Sequence, residues 1–300
     1  MKKLPNYLKL LSGDLRVIGM GQFFRNLMKK NNIGPKVLSE RLGTPGRSLM
    51  NYLSDSRSIP LTTCKEMIKV ITKDFDKSFN QLYKETKLIT STSSKAQAVN
   101  LIKTIDHELA YTIGAMHDGC VFSNPKKNQF VVQYIQYSSE TWLKKISKIL
   151  QKNFGITPKY YKKYIQISNK YIFEFFSKVL GIKKQTEWQS FLYGFNWNLQ
   201  KHMIAGMFDA EGWCSKNDLR LKFSQKNYSK LKELQHFLNR NHIHPGKVVK
   251  ENDAHALYIS GRNCLDFYNK IGIYSKHPLK IERLKSLKRY STNRRIVSWV

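Results

Sequence analysis

The chain has 300 residues, of which 41% are hydrophobic and 12% aromatic, so it is long enough for two or three domains with well-filled cores. Lysine and arginine number 52 against 21 acidic residues, a formal net charge of +31, which indicates a polyanionic partner and most simply nucleic acid. The absence of a signal-peptide pattern, of a long apolar run and of paired CxxC spacing argues against secretion, membrane insertion and a zinc site, so we expect a cytoplasmic protein with reduced thiols.

Residues 1–86 are predicted to form a small all-α domain. Apolar residues spaced as on one helix face predict four helices, at 21–31, 36–42, 45–53 and 61–71. Gly43 ends the second of these, and two helices joined by a glycine-containing turn are typical of a helix-turn-helix. The alternative interpretation is a helical bundle that only packs against the rest of the chain.

The remainder of the chain is predicted to contain the same structural unit twice. A Ser/Thr-rich stretch at 87–103 is interpreted as a linker, followed by repeat one at 104–185, a second linker at 186–197 and repeat two at 198–300, which ends in a basic helix. YIQYS at 134–138 aligns with FSQKN at 223–227, and each lies in the order α-β-β-α-β-β-α. The predicted fold class is therefore α+β, with two pseudo-symmetric αββαββα repeats. We also expect residues 104–290 to fold without residues 1–86.

Two short stretches occupy matching places in the two repeats. YTIGAMHDG at 111–119 and IAGMFDAEG at 204–212 are apolar runs, each ending in an acid and a glycine. The acids, Asp118 and Glu211, are expected at the C-terminal ends of buried helices. A carboxylate there is unfavourable unless a cation compensates it, because burial and the helix dipole both oppose its charge. The alternative is two ordinary core helices with terminal acids.

IAGMFDAEG closely resembles the LAGLIDADG motif, with Glu211 at the place of the eighth residue, and YTIGAMHDG is a looser match. The resemblance extends over roughly residues 105–290 and includes the internal repeat. The chain thus resembles the LAGLIDADG homing endonucleases, many of which are single chains with two pseudo-symmetric halves. The resemblance implies that the two motif helices pack side by side and that their acids hold divalent metal ions over the scissile phosphates of DNA.

The metal site that this resemblance implies can be assigned residue by residue. Asp118 and Glu211 offer hard oxygen ligands suited to Mg²⁺ or Mn²⁺. In the family, the backbone carbonyl before each acid also contacts metal, which here means His117 and Ala210. Bound metal ions can activate a water, stabilise the transition state and assist the leaving oxygen of a phosphodiester.

Three further side chains are candidates for the chemistry. Gln136 and Gln225 occupy the strand-end position that in the family orders water near the metals. Lys226 adjoins Gln225 and is a candidate for stabilising the developing negative charge. The His117 side chain is a candidate for proton transfer, although a histidine beside a helix end is more often structural.

The first motif departs from the family pattern where the two helices should touch. The family favours small residues there. The second motif has Gly206 and Ala210, whereas the first has Ile113 and His117, with Gly114 and Ala110 one step round the helix. We therefore expect a rotated or asymmetric helix interface.

The segment VLSERLGTPGRSLMNYL resembles the helix-turn-helix of the Cro/repressor class. The resemblance implies that residues 45–53 form the recognition helix and that four side chains point at the major groove: Arg47, Ser48, Met50 and Asn51. Arginine suits guanine and asparagine suits adenine.

The strands of the repeats are predicted to present one apolar and one polar face. The strand at 219–225 alternates Leu, Leu and Phe with Arg220, Lys222 and Ser224, and its counterpart places Gln133 on the outer face. Such an exposed face suits the major groove of DNA. Lysines in the neighbouring turns and strands are candidate phosphate contacts: Lys126, Lys127, Lys159, Lys162, Lys247 and Lys250.

The leading hypothesis is a site-specific, metal-dependent endonuclease that acts on double-stranded DNA as a monomer, away from any membrane. A non-cleaving DNA-binding regulator on the same fold is the first alternative, and the retained acids count against it. An intron maturase that binds intron RNA is the second, and the sequence does not separate it from the first two, because a basic sheet binds either polymer.

Overall fold

The computed structural model describes residues 1–91, 96–182 and 194–297. Residues 92–95 of the first predicted linker and 186–193 of the second lie outside this part of the chain. Within the described ranges no helix has the length and apolar character needed to cross a bilayer. All four cysteines are free thiols, and three of them are buried.

Residues 1–91 contain a bundle of helices: α1 (Gly21–Lys30), α2 (Pro35–Leu42), α3 (Gly46–Leu53), α4 (Leu61–Ile71) and α5 (Phe75–Glu85). The first four lie where the sequence predicted helices, and the fifth was not predicted. Gly43 ends α2 at φ 59°, in the left-handed region that glycine adopts without strain. Leu38, Leu49 and Leu53 are buried between α2, α3 and their neighbours.

Short strands accompany this bundle within residues 1–91 and just after it: β1 (Lys2–Lys3), β2 (Arg16–Ile18), β3 (Ile59–Pro60), β4 (Leu88–Thr90), β5 (Val99–Asn100) and β6 (Thr104–Ile105). Four of them form an antiparallel sheet in the order β3-β2-β4-β5, and β1 pairs with β6. The prediction of an all-α unit was therefore wrong. The stretch interpreted as a linker contributes β4 and β5. Strands of two or three residues are too short to show an alternating pattern.

The N-terminal residues pack into repeat one. The Tyr7 hydroxyl donates to the carbonyl of Ile102 and lies 2.8 Å from the hydroxyl of Tyr171. The Ser12 backbone N–H donates to Glu174 Oε2 at 2.7 Å, and the Ser12 hydroxyl donates to the other oxygen of that carboxylate. Glu174 is only 2% exposed, and Ser12 and Lys178, whose ammonium lies 3.1 Å from Glu174 Oε1, are the polar partners of this buried carboxylate.

We therefore expect a chain limited to residues 104–290 to be strongly destabilised, contrary to the expectation from the sequence. Its Glu174 would lose both hydrogen bonds from Ser12 and keep only Lys178, and its Tyr171 would lose the hydroxyl contact with Tyr7. Removing partners of a buried charge is among the most destabilising changes, so the loss should exceed about 4 kcal/mol. Thermal unfolding of the truncated and full chains measures it, with Lys9→Ala as a control that removes an exposed ion pair and a cation–π contact with Phe75. Cooperative melting of the truncated chain near the full-length Tm would contradict this.

The two repeats follow the predicted order. Repeat one contains α6 (His107–Ala115), which continues as a 3-10 turn (Met116–Asp118), then β7 (Gly119–Asn124), β8 (Gln129–Ile135), α7 (Glu140–Phe154), β9 (Lys159–Tyr161), β10 (Tyr164–Ser168) and α8 (Lys170–Glu174), which continues as a π turn (Phe175–Val179). Repeat two contains α9 (Trp197–Glu211), β11 (Trp213–Cys214), β12 (Arg220–Gln225), α10 (Tyr228–Arg240), β13 (Val248–Glu251), β14 (Ala254–Ser260) and α11 (Arg262–Lys270). The final helix is α12 (Pro278–Val297).

Each repeat builds one antiparallel four-stranded sheet, in the orders β7-β8-β10-β9 and β11-β12-β14-β13. Directly opposed residues share a face of a sheet, so the register assigns the faces. In the first sheet Val121, Val132 and Ile167 are opposed and buried against the helices. In the second sheet Leu221 and Ile259 occupy the equivalent buried positions. The other face of each sheet carries the more exposed side chains.

The two motif helices, α6 and α9, cross at the centre of the repeats with their backbones in contact. A Cβ atom on Gly206 would collide with the carbonyl of Tyr111 and lie 2.8 Å from Ala115 N. A Cβ on Gly114 would collide with the carbonyl of Met203. Gly114, rather than the residue aligned with Gly206, is thus the small residue of the first helix. The contact is asymmetric, as the sequence predicted.

Candidate active site

The two predicted acids lie close together at the ends of the motif helices. Asp118 ends the 3-10 turn that follows α6, and Glu211 is the last residue of α9. Both are half-buried. Burial, and then the neighbouring Glu211 carboxylate, raise the pKa of Asp118 from 3.8 to about 6, whereas His117 and Lys280 act in the opposite direction. The pair is therefore a site of concentrated negative charge that lacks full compensation.

His117 and Gln225 surround the Glu211 carboxylate. His117 Nε2 lies 3.1 Å from Glu211 Oε2, and Gln225 Nε2 donates to the same oxygen at 3.1 Å. Gln225 Nε2 and His117 Nε2 are 2.8 Å apart. The structure thus brings together residues from both repeats that the sequence assigned to the site. The His117 side chain, which is buried, orients Glu211 from the opposite repeat.

Gln136, the counterpart of Gln225 in repeat one, lies on the other side of the site. Its Nε2 is 3.5 Å from the carbonyl oxygen of Asp209, and its Oε1 accepts from Ser138 N at 3.1 Å. Both glutamines are buried at the ends of their strands. Lys226 is exposed, and its backbone N–H donates to Gln225 Oε1 at 2.9 Å.

Lys280 is a site residue that the sequence analysis missed. It lies in the first turn of α12, and its ammonium group donates to the carbonyls of Phe208 and Asp209, each at 2.7 Å. These carbonyls belong to the last turn of α9, the negative end of that helix. Burial lowers the pKa of Lys280 to about 8, against the opposing attraction of Asp209, Asp118 and Glu211. The repeat alignment could not place it, because α12 follows the repeated unit.

Asp209 holds the segment that delivers Lys280. This carboxylate is fully buried and accepts from the hydroxyls of Tyr111 and Ser275 and from the backbone N–H groups of Lys276 at 2.6 Å and His277 at 3.0 Å. Asp209 was not predicted from the sequence, although an acid on an apolar helix is the same signal that identified Glu211. We call Asp209 and its four donors, which come from Tyr111, Ser275, Lys276 and His277, the Asp209 clamp.

Lys230 is a second missed cation. Lys230 lies in the first turn of α10 and is 5% exposed. The Glu211 carboxylate attracts its charge. Burial lowers the pKa of Lys230 to about 8. In a sequence, a lysine in the first turn of a helix after an Asn cap is typical of a surface position. Only the fold shows that Lys230 is buried and near Glu211.

The donor set fits a hard divalent cation. Asp118 and Glu211 offer carboxylate oxygens, and the raised pKa of Asp118 records a repulsion between them that a cation would relieve. No cluster of three or more His, Cys, Asp or Glu side chains with metal-ligand geometry occurs in the described ranges. Backbone carbonyls and water would therefore complete the coordination, as the resemblance implies for His117 and Ala210.

The raised pKa of Asp118 predicts a pH-dependent loss of stability. Between about pH 4 and about pH 6 the folded protein keeps a proton that the unfolded chain releases, so stability falls as pH rises through this window. We expect Asp118→Asn to remove that fall and to melt at a higher temperature than the parent chain above pH 6. Melting curves from pH 4 to 8 in EDTA test this, with Asp253→Asn in an exposed turn as the control. Parallel curves for the parent and Asp118→Asn would contradict it.

The predicted DNA contacts lie on both sheets and on the helical unit. Gln133 and Lys159 share the more exposed face of the first sheet, and Arg220, Lys222 and Ser224 share that of the second. Exposed turns or strand ends carry the remaining lysines: Lys126, Lys127, Lys162 and Lys247. In α3, Arg47 and Met50 are exposed and Ser48 and Asn51 are half-buried.

Lys250 is separated from the other predicted contacts of the second sheet. It opposes His255, which opposes Gln225, so these three residues share the face opposite to that of Lys222. Lys250 is exposed at the sheet edge. It therefore does not extend the row of Arg220, Lys222 and Ser224.

Comparisons with known proteins give one family-model match and several similar solved structures. Residues 198–272 match the family model described as a LAGLIDADG-like domain. Among solved structures the chain is similar to I-DmoI in complex with DNA and Mn, with 19% identity and a TM-score of 0.43 over 54% of this chain and 94% of that one. It is also similar to the homing endonuclease I-WcaI bound to its DNA recognition sequence, with 15% identity and a TM-score of 0.47 over 61% and 88% of the two chains.

A third similar structure is full-length DUF199/WhiA from Thermatoga maritima, with 16% identity and a TM-score of 0.42 over 64% of this chain and 63% of that one. No curated protein sequence matches.

Proposed function

We propose that this chain, which matches a LAGLIDADG-like domain at residues 198–272, belongs with the LAGLIDADG homing endonucleases and is a site-specific endonuclease that hydrolyses phosphodiester bonds of double-stranded DNA with divalent metal ions, Mg²⁺ or Mn²⁺. The observation that carries the proposal is the pairing of Asp118 and Glu211 at the ends of two crossing helices. Each acid comes from a different repeat, so the pair is placed to act on both strands of a bound duplex.

The acids and the carbonyls of His117 and Ala210 would hold the metal ions, which supply an activated water and charge neutralisation at the phosphate. His117 and Gln225 hold the Glu211 carboxylate in one orientation through contacts at 3.1 Å. Gln136 and Gln225, at the strand ends beside the acids, are placed to orient water. Lys280 and Lys230 add positive charge near the acids, where negative charge develops on the phosphate.

DNA binding is assigned to the more exposed faces of the two sheets, with the lysines of the turns contacting phosphates. The α2–α3 pair would add auxiliary contacts through Arg47 and Asn51, whose side chains lie at the surface of α3. The charge of +31 supports a polyanionic ligand.

The direct experiment is digestion of a plasmid library by the purified chain in Mg²⁺, followed by sequencing of the new ends. We expect cleavage at a small number of related sequences and none in EDTA. Tight binding to one duplex without cleavage in either Mg²⁺ or Mn²⁺ would favour a regulator. Exclusive binding of structured RNA would favour a maturase.

Duplex affinity should fall steeply with salt. A protein that contacts six or more phosphates releases as many counterions, which predicts a loss of roughly a thousand-fold between 50 and 200 mM salt. Titration of a labelled duplex across this range measures the slope. Lys126→Gln with Lys127→Gln should make the slope shallower by up to about two units, whereas Lys9→Gln, which loses its contacts with Asp76 and Phe75, should leave it unchanged. An affinity that is flat with salt would contradict the assignment.

A further inference from the structure

The exposed faces of the two sheets differ in chemistry. On the first sheet the face that carries Gln133 is nearly uncharged. The structure describes every residue of β7 to β10, and among these strands Lys159, on the edge strand β9, is the one charged side chain of that face. The rest are amides, hydroxyls and apolar or aromatic groups, including Gln166, Phe122 and Ile135.

Two glutamines form the centre of that face. Gln133 and Gln166 are directly opposed on β8 and β10, and Gln133 Nε2 donates to Gln166 Oε1 at 2.8 Å. Gln166 Nε2 donates onward to Ser168 Oγ at 3.0 Å, and Cys120 Sγ lies 3.1 Å from Gln133 Oε1. This chain of contacts fixes the orientations of both amides, while the side chains remain only half-buried.

The equivalent face of the second sheet is charged. Lys222 and Tyr258 are directly opposed, and both contact Glu251 on the edge strand: Lys222 Nζ donates to Glu251 Oε2 at 3.1 Å and the Tyr258 hydroxyl donates to the other oxygen. Arg220, two residues from Lys222, is exposed on the same face. These contacts lower the pKa of Glu251, so it is a carboxylate at neutral pH.

These side chains favour different base pairs in the major groove. A glutamine amide matches the donor and acceptor edge of adenine, and apolar groups contact the methyl of thymine. Arginine and lysine match the two acceptors of guanine, and glutamate accepts from the amino group of cytosine. A lysine that is already paired with Glu251 is also less available as a simple phosphate contact.

We infer that the DNA target is asymmetric in base composition, with an A·T-rich half bound by the first sheet and a G·C-rich half bound by the second. The inference rests on the proposed function only in that the two exposed sheet faces contact duplex DNA. Gln133 and Gln166 determine specificity in one half, and Lys222, Glu251 and Arg220 determine it in the other.

The test is selection of bound duplexes from a fully randomised library by the full chain in EDTA, so that no cleavage occurs. The parent chain should yield a consensus with one A·T-rich and one G·C-rich half. The double variant Lys222→Gln with Glu251→Gln should change the composition of the G·C-rich half alone. Its preference for a guanine–cytosine pair at the contacted position should fall on the order of ten- to a hundred-fold.

Two further variants complete the design. Gln133→Lys with Gln166→Glu should introduce guanine and cytosine into the A·T-rich half alone. Lys144→Gln, at an exposed position of α7 outside both sheets, should alter neither half.

Halves of equal composition, or a double variant that alters both halves or neither, would overturn the inference. A chain that selects the two compositions but never cuts in Mg²⁺ overturns cleavage and supports the inference. A chain that binds no duplex at all overturns both.

Discussion

Asp118→Asn and Glu211→Gln should each abolish double-strand cleavage while duplex binding survives or strengthens. Each change keeps the shape of the side chain and removes a charge that holds metal. Loss of a single charge-stabilising group typically lowers rates by roughly 10²–10³-fold, and loss of a metal ligand should do at least as much. Binding should not weaken, because a carboxylate near a phosphate repels it. Cleavage of a supercoiled plasmid in Mg²⁺ and duplex titration in EDTA measure the two effects separately.

Asp209→Asn is the matched comparison, because it changes another acid of the same motif. Asp209 only accepts hydrogen bonds, and an amide nitrogen there would face the N–H groups of residues 276 and 277. We expect this variant to lose stability, by about 1–3 kcal/mol, with any loss of cleavage following from that. If Asp118→Asn and Glu211→Gln cut both strands at the parent rate, the assignment of these acids to the metal site is wrong.

Gly206→Ala should cause a large loss of stability although it adds only one carbon atom. The new Cβ would collide with backbone atoms of Tyr111 and Ala115, which cannot move away as a side chain could. Overpacking of this kind costs about 3 kcal/mol or more, which corresponds to a fall in Tm of roughly 6–12 °C. Alanine has a higher helix propensity than glycine, which by itself would stabilise the helix. A net loss of stability would therefore be due to the collision.

Gly46→Ala is the control for this prediction. Gly46 is also a helical glycine, but its nearest neighbour would be Ser39 Oγ at 3.8 Å, an ordinary contact. We expect that variant to keep or slightly raise the Tm of the parent chain. An unchanged Tm for Gly206→Ala would mean that α6 and α9 can separate without cost.

The sequence was sufficient to predict the helices, the strands and the acids of the two repeats, because each depends on a local pattern. The apolar nonamers predicted α6 and α9, and alternating residues such as Leu221 and Phe223 predicted β12. The sequence also identified Gly114 as a candidate small residue at the contact between the motif helices. A residue one step round the helix from the aligned position can still face the neighbouring helix.

What the sequence could not provide was the set of contacts between distant residues. Lys280 and Lys230 become site residues only because folding brings their helices against Glu211 and the end of α9. The role of Tyr7 in the core of repeat one depends on Tyr171, which lies 164 positions along the chain. The short strands that refute the all-α prediction also pair with distant partners, as Arg16 does with Thr90.

The Asp209 clamp also has a consequence for synthesis of the protein. Both acids precede residue 212, yet the cation that caps α9 and the segment that buries Asp209 come only at residues 275–280. A ribosome that has released residues 1–270 has therefore made both acids of the proposed metal site but not the segment that supports them. In a nascent or prematurely terminated chain Asp209 would keep only the Tyr111 hydroxyl of its four hydrogen-bond donors, so such a chain should unfold more readily and be a better substrate for proteolysis.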